Sequence, residues 1–386
     1  MRSPWHRLWS GQGAVYGAPT GWERPLWFAK EEEEKKIRYS YGSQCWWPMA
    51  SREAKRLSKH GALFELSPFT KIDIEGVDAC QAIQGLCSNN IDVAPGRIVY
   101  TLMLNARGGI EAEATVMRVD RDRWRIVTGA ATRNRDLDRL RRKLPASVNI
   151  HDATEEEAVM GVMGPNVRAL LQRVLDSPDQ LHGLPFAMAG FTTIKGIPVW
   201  LARISYVGEM GYELYVPAGS ACDLFEYIIR HVDEFGIGFA GHFCLDSCRL
   251  EKGYVHWGHD IGPDDDPVSA NLMFAVKPDA GFDFVGRDAV RRMIKEPPGS
   301  RRTLFEVHSS SPLLLHDEPL FRDGELVGRT TSGGLGFRTG KALCMGYVSG
   351  STDASKRWHI DIAGERIQIS PLARPPYDPA GLRMRG

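Results

Sequence analysis

The sequence predicts an α+β protein whose carboxy-terminal part is all β, and three observations carry that reading. Two tight turns, "ARGG" at 106–109 and "DRDR" at 120–123, join three runs of alternating apolar and polar residues, the mark of an antiparallel meander. Strand and helix patterns alternate through the first two thirds of the chain. After Asp279 the pattern turns to short strands and turns.

The first fifty residues hold Trp5, Trp9, Trp22, Trp27, Trp46 and Trp47 but little periodicity, which predicts an extended arm laid on a larger body. Within it, "EEEEKK" at 31–36 sets Glu31 against Lys35 and Glu32 against Lys36 at helical spacing, a solvated turn. From Ser51 the signals become regular. "SREAKRLSKHGAL" reads as a helix, "FTKIDIEG" as a strand, "DACQAIQGLCS" as a helix and "RIVYTLMLN" as the first strand of the meander. "IEAEATVMRV" and "WRIVTGA" complete it. "TRNRDLDRLRRKL" carries Leu137, Leu140 and Leu144 on one helical face and a basic opposite face.

A second round follows. "AVMGVMGP" is a strand, and Pro165 opens the helix "NVRALLQRVL", where its missing N–H costs nothing. "GIPVWLARISYVGEMGYELYVP" is a hairpin, "CDLFEYIIRHV" a helix, and a further helix runs roughly from Phe239 to Glu251. "RRTLFEVHS", "EPLFRDGELVGRTTSG" and "KALCMGYVSG" supply the terminal β domain.

Composition narrows the function. At 386 residues the chain holds two or three domains. Lysine plus arginine equals aspartate plus glutamate at 48 each, so no global field draws in nucleic acid or an anionic membrane. No apolar run reaches the roughly 20 residues of a membrane span. Seven cysteines are scattered without a CxxC pair, which argues against a disulfide framework or zinc ribbon and for a reducing cytoplasm. No targeting signal is read. GxGxxG and Walker motifs are absent, so dinucleotide and nucleoside triphosphate sites lose their usual supports.

Two stretches carry candidate chemistry. Along "IEAEATV", Ile110, Ala112, Ala114 and Val116 take one face of the strand while Glu111, Glu113 and Thr115 take the other. The acidic face is either the wet side of a sheet or, if buried, a source of an acid, base or cation stabiliser. The hairpin "ISYVGEMGYELYV" gathers Tyr206, Glu209, Tyr212, Glu213 and Tyr215, rings and carboxylates suited to a flat heterocycle with N–H donors at one edge; cross-strand packing is the alternative. His256 and His259 flank Trp257 without a third ligand, so no metal site is expected. Cys244 and Cys248 read as packed thiols.

Together "GRIVYTLMLNARGGIEAEATV", "VMGVMGPNVRALL", "ARISYVGEMGYELYVP", "CRLEKGYVHWGHDIGPDDDPVSANLMFAVK", "FVGRDAV" and "GRTTSGGLGF…CMGYV" resemble, in order, the folate-binding aminomethyltransferase superfamily. That superfamily holds the glycine-cleavage T-protein, the carboxy-terminal halves of dimethylglycine and sarcosine dehydrogenases, and tetrahydrofolate-dependent demethylases. The resemblance spans about residues 50–370, and "GAVYGAPTGWERPLWFA" is similar to the connector that follows the flavin domain of the dehydrogenases.

The resemblance implies a three-domain cloverleaf around a tetrahydrofolate channel. It divides the chain into an arm at 1–50, a first domain at 51–72 and 155–265, a second at 73–154 and a terminal β domain at 266–386. It also implies roles: Glu113 beside the reactive folate nitrogens, Tyr100 and Thr115 lining the channel, Tyr206 and Glu213 holding the pterin. Leu245 stands where glycine-cleavage members carry an arginine that contacts folate, which leaves Arg249 and the basic helix at 133–143 as candidates for its tail. Trp257, His256, His259 and His60 are the guesses for a substrate pocket and a leaving-group proton.

Because no flavin or nicotinamide motif is present, the expected reaction is redox-neutral. Its first form is direct methyl transfer to N5 of tetrahydrofolate from a small methylated substrate, best an aryl methyl ether such as a methoxybenzoate, with the tryptophans walling an aromatic pocket. The second is a folate subunit, or a T-protein-like aminomethyltransferase, that makes 5,10-methylene-tetrahydrofolate from an N-methyl amine oxidised by a separate flavin dehydrogenase. The third is a non-catalytic folate binder. No nucleic acid or membrane partner is expected.

Overall fold

The computed structural model describes residues 1–309 and 313–386. It holds two open sheets, a closed barrel and an amino-terminal arm. Among the described residues, no helix is long and apolar enough to cross a membrane.

The arm is compact rather than extended. Residues His6–Gly11 form a short helix, and Ala14–Gly17 pairs antiparallel with Arg24–Phe28. The reason is aromatic burial. Trp5, Trp9 and Trp27 are fully enclosed, with Trp9 edge-on to Phe28, Phe225 and Phe239, and Trp27 stacked on Trp46 and Phe243. Each such ring removes about 150–250 Å² from water, enough to fold a segment that lacks amphipathic periodicity. The charge run also differs from expectation. Glu32–Lys35 is one 3₁₀ turn, so the pairs are Lys35 with Glu32 and Lys36 with Glu33, both three residues apart at 2.5 Å.

The first sheet runs Ala189–Ile194, Ile197–Ala202, Gly211–Pro217, Glu157–Met163, Ala62–Glu65 and Gly238–Phe239. One face buries Met160, Val162, Tyr212 and Leu214 under the helices Val167–Val174 and Ala221–Ile229 and under Trp5 and Trp9. The other face carries Val159, Trp200, Ala202 and Tyr215 against the helices Trp47–Lys59 and His242–Glu251. The first of these starts four residues before the expected Ser51 because Pro48 opens it, and it gives way to Ala62–Glu65 through Gly61, whose φ of +148° suits only glycine.

The second sheet is the meander: Ile98–Leu104, Ile110–Asp120 and Arg123–Thr128, extended by Thr70–Glu75 and Asn149–Asp152. Ala112, Ala114 and Val116 pack against the helices Ala79–Gln84 and Arg133–Lys143, so from Ala112 onward the alternation is the one expected; Ile110, expected on the same face, instead packs with Leu102 and Leu104 on the opposite one. The expected boundary at 72/73 falls inside Thr70–Glu75, all of which pairs into this sheet. Ile98 and Met117 reach across to the inner face of the first sheet, where the Trp200 indole N–H meets Met117 Sδ at 3.4 Å.

The barrel closes in the order Ser300–Val307, Lys341–Ser349, Glu325–Gly336, Pro319–Arg322, Trp358–Ile362 and Glu365–Leu372. Before it comes a helix, Arg287–Lys295, where only strands and turns were expected. Its Val290 packs with Leu272, Val276 and Phe284 against Leu102, Leu104 and Ile110 of the second sheet. Its apolar residues Ala289, Val290, Met293 and Ile294 do fall at helical spacing, but nine residues are too short a run for that pattern to stand out.

Candidate functional site

Glu113 and Thr115 point from the second sheet toward the interior shared with the first, on the same face as Met117. Tyr100 lies on the neighbouring strand, and its hydroxyl donates to Glu113 Oε2 at 2.7 Å. The backbone N–H of Trp257 approaches Oε1 at 3.4 Å. Burial pushes the Glu113 carboxyl up to about 7, against the lowering effect of the Tyr100 bond. A carboxyl poised there exchanges protons with little driving force in either direction at neutral pH. Across the ladder from Thr115 is Tyr100, and the exposed ring of Phe274 stacks on Tyr100 at 5.8 Å.

Glu111 does something else. The ladder slips between Met103 and Leu104, which pair with Ala112 and Ile110, so Glu111 is the extra residue of a bulge. It turns to Arg139 at 3.2 Å and to the side-chain amide of Asn105 at 3.3 Å, tying the strand end to the helix Arg133–Lys143.

Glu213 occupies the inner face of the first sheet between Gly161 and Ala202, so no bulky side chain stands beside it on the flanking strands. Its Oε2 accepts from the Tyr215 hydroxyl at 2.6 Å, two residues along the same face, while Oε1 takes no protein donor among the described residues. Burial raises this carboxyl to about 7, opposed by the Tyr215 bond and by the charge of Lys71. Lys71 is a buried amine lowered to about 8, and sequence reading passed over it. Tyr206 donates to the carbonyl of Val255 at 2.6 Å and stacks on Tyr254 at 5.9 Å, holding the hairpin loop against the segment that carries Trp257. Tyr212 faces the opposite side of the sheet.

Arg249 is not free to meet a ligand tail. It pairs with Asp246 and Asp260 at 2.7 Å each and donates to Tyr254 O and Ser332 Oγ; burial opposes its charge, but the two carboxylates more than restore it. Fully buried Asp260 also accepts from the His256 backbone and from Thr331 of the barrel, a hub that no sequence signal marked. Glu209 likewise serves the fold: Arg338, Tyr377 and Arg383 converge on it and fasten the carboxy-terminal segment.

Trp257 bridges several parts. Its indole N–H donates to Ile110 O at 3.0 Å, and the Arg135 guanidinium lies 3.9 Å above its ring. His256 and His259 sit 4.7 Å apart; burial first, then Arg249, lowers His256 to about 4, so it is neutral at physiological pH. His259 borders a cleft of about 530 Å³ between this loop and the barrel. His60 is held apart from this cluster, at the end of its helix beside Asn166 and Gly236. The structure therefore brings together Glu113, Tyr100, Thr115, Trp257, His256 and Tyr206, sets Glu213 on the facing sheet and leaves out His60. Cys244 and Cys248 are buried free thiols. No cluster of three or more metal-type ligands occurs among the described residues.

Comparison with known proteins gives the same outline. Residues 5–280 match the GCVT N-terminal domain and residues 301–378 the glycine cleavage T-protein C-terminal barrel domain. The whole chain is 35% identical to 47% of the length of 4-methylaminobutanoate oxidase (formaldehyde-forming) from Paenarthrobacter nicotinovorans. It is 30% identical to 47% of human mitochondrial sarcosine dehydrogenase. Against aminomethyltransferase from Halothermothrix orenii it is 28% identical over 85% of this chain and 86% of that one. The chain thus spans about half the length of the oxidase and dehydrogenase it matches. In three dimensions it is similar to the glycine cleavage system aminomethyltransferase T from Bartonella henselae, with a TM-score of 0.84 at 23% identity over 98% of each chain.

Proposed function

Since the chain belongs to the glycine-cleavage T-protein family of folate-dependent one-carbon transferases, in its amino-terminal and barrel parts alike, we propose that it makes 5,10-methylene-tetrahydrofolate. In this reading the one-carbon unit comes from an N-methyl amine oxidised by a flavin dehydrogenase, fused or separate. One observation carries it. Two buried carboxyls, Glu113 and Glu213, stand on the facing inner sides of two sheets, each with one oxygen held by a tyrosine.

The donor set fits the coenzyme. Glu213 keeps an uncommitted acceptor and 8% exposure, which suits the N–H edge of a pterin, and a buried carboxyl left without such a donor costs free energy. Tetrahydrofolate supplies two amine nitrogens that take up carbon at the formaldehyde level. The bookkeeping needs no redox step here: two N–H bonds are lost, two N–C bonds form, and the protons leave with the amine or with water. Glu113, poised about 7, accepts such a proton and returns it to the leaving group. Tyr100 orients it, and Trp257 with Tyr206 screens the interior from solvent.

This reading replaces aryl ether demethylation as the favoured one. The relatives are named as an N-methyl amine oxidase, an N-methyl amine dehydrogenase and an aminomethyltransferase. The aromatic pocket also loses its support, because Trp5, Trp9 and Trp27 spend their rings on packing the arm. Purified chain should convert tetrahydrofolate and formaldehyde to 5,10-methylene-tetrahydrofolate faster than the uncatalysed condensation, read by mass spectrometry. Acceleration absent there, with 5-methyl-tetrahydrofolate appearing from a methoxybenzoate, would reverse the choice.

A further inference from the structure

Three buried arginines are matched to carboxylates: Arg125 to Asp73 and Glu157, Arg249 to Asp246 and Asp260, Arg338 to Glu251. Arg203 and Arg302 lack a carboxylate but each donates to two backbone carbonyls. Arg24 differs. It starts the arm strand Arg24–Phe28, is half-buried, and has no carboxylate at ion-pair distance among the described residues. Its Nη2 meets His242 Nε2 at 3.4 Å, and its Nε is enclosed without a partner. Burial works against its charge, and Asp246 is the acidic group within electrostatic reach. Asp246, however, is already engaged by Arg249. His242 offers no anion either, since burial, and then Arg24 itself, keeps its ring neutral. A partly desolvated guanidinium with spare donors is well placed to take an anion that arrives from outside.

Its position says where that anion would belong. His242 opens the ten-residue helix His242–Glu251, whose amino-terminal end adds favourable partial charge for an anion. Asp246 lies one turn along the helix and Arg249 the next. Arg249 and Asp246 act electrostatically on Tyr206, and Tyr206 is within reach of Glu113. Arg24 therefore stands at the arm end of a polar row whose other end is the proposed proton carrier.

Building on the folate reading, we propose that Arg24, assisted by His242, is the anchor for a carboxylate of a ligand held in the central interior. The guanidinium fork matches a carboxylate with two parallel hydrogen bonds. Two ligands bring that chemistry: the glutamate tail of tetrahydrofolate, and the acid group of an N-methyl amino acid. The arm, in either case, is part of the binding site.

The test is anaerobic calorimetric titration of the full chain with three probes: tetrahydrofolate, tetrahydropteroate (the same ring system without the glutamate) and 4-methylaminobutanoate. Arg24→Gln should weaken tetrahydrofolate about 10–100-fold and leave tetrahydropteroate unchanged if the tail is anchored. Loss confined to 4-methylaminobutanoate would assign the substrate acid instead. Unchanged tetrahydropteroate affinity also shows that the variant is folded. Should Arg24→Gln fail that control, Arg24→Lys, which keeps the charge without the fork, and His242→Gln take its place, each with a smaller loss expected. Wild-type affinity for all three probes in folded variants overturns the proposal. Failure of the unaltered chain to bind tetrahydrofolate would instead overturn the folate reading beneath it.

Discussion

The Tyr100 hydroxyl donates to Glu113 Oε2 at 2.7 Å from the adjacent strand, so the phenol holds and tunes the carboxyl together. Burial raises Glu113 and this bond pulls it back, which is how the group comes to about 7. Tyr100→Phe removes only the pull. A hydrogen bond to a charged group contributes roughly 1.5–3 kcal/mol, about one to two pH units. The pH profile of kcat should therefore move alkaline by about one unit or more, with little change in tetrahydrofolate affinity. A profile that stays in place would separate Tyr100 from the proton carried by Glu113.

The two buried acids should fail differently. Glu113→Gln keeps the shape and the bond to Tyr100 but cannot carry a proton, so kcat should fall about 10²–10⁴-fold with the folate dissociation constant within a few-fold of wild type. Glu213→Ala removes the acceptor proposed for the pterin edge and should raise that constant by about 10–100-fold. Equilibrium titration and single-turnover rates on both variants separate binding from transfer. Equal losses of both kinds in both variants would contradict the division.

Glu213 also links stability to pH. Its carboxyl titrates from 4.5 in the unfolded chain and about 7 in the folded one, so between those values the folded state holds the extra proton. Stability then falls as pH rises through that window and levels off above it, by on the order of 3 kcal/mol at most for this one group. The melting temperature should be higher at pH 5 than at pH 8, and Glu213→Gln, which has no proton to lose, should flatten the slope. Glu113, shifted the same way, leaves a residual slope in that variant.

What could be read in the sequence follows what is local. The period-two pattern put Glu113 and Thr115 on the face opposite the alanines, and the chain runs that way from Ala112 to Val116, while Ile110 changes face across the bulge. Family blocks supplied the partners Tyr100, Tyr206 and Glu213. Glu111 escaped because a one-residue bulge is decided by the partner strand, which spacing within one strand does not report. Asp260 and Arg24 escaped for a similar reason: their roles come from Arg249, Thr331 and His242, at sequence distances of 11, 71 and 218 residues. The arm's shape was hidden because its tryptophans bury against Phe225, Phe239 and Phe243, none of them near it in sequence.

Gly109 offers a way to disturb the site from outside it. A Cβ at this position would lie 1.8 Å from Pro263 O and 2.6 Å from Asn105 Nδ2, so Gly109→Ala must displace backbone rather than a flexible side chain. Pro263 follows the loop that carries Trp257, His259 and Asp260, and Asn105 holds Glu111 and Pro263 O. The fold itself should survive, because the two strands this turn joins stay paired from Ile98 to Leu104 beyond it, at a cost of about 1–3 kcal/mol. Transfer should suffer more: a shift of the loop by about 1 Å can lower the rate by as much as 10²-fold by misplacing Trp257 relative to Glu113. Glu213, on the other sheet, is untouched, so tetrahydrofolate affinity should change far less than kcat. Thermal melting, titration and single-turnover assay on Gly109→Ala would show that ordering, and a large loss of affinity with normal turnover would contradict the placement of the chemistry at the Glu113 end.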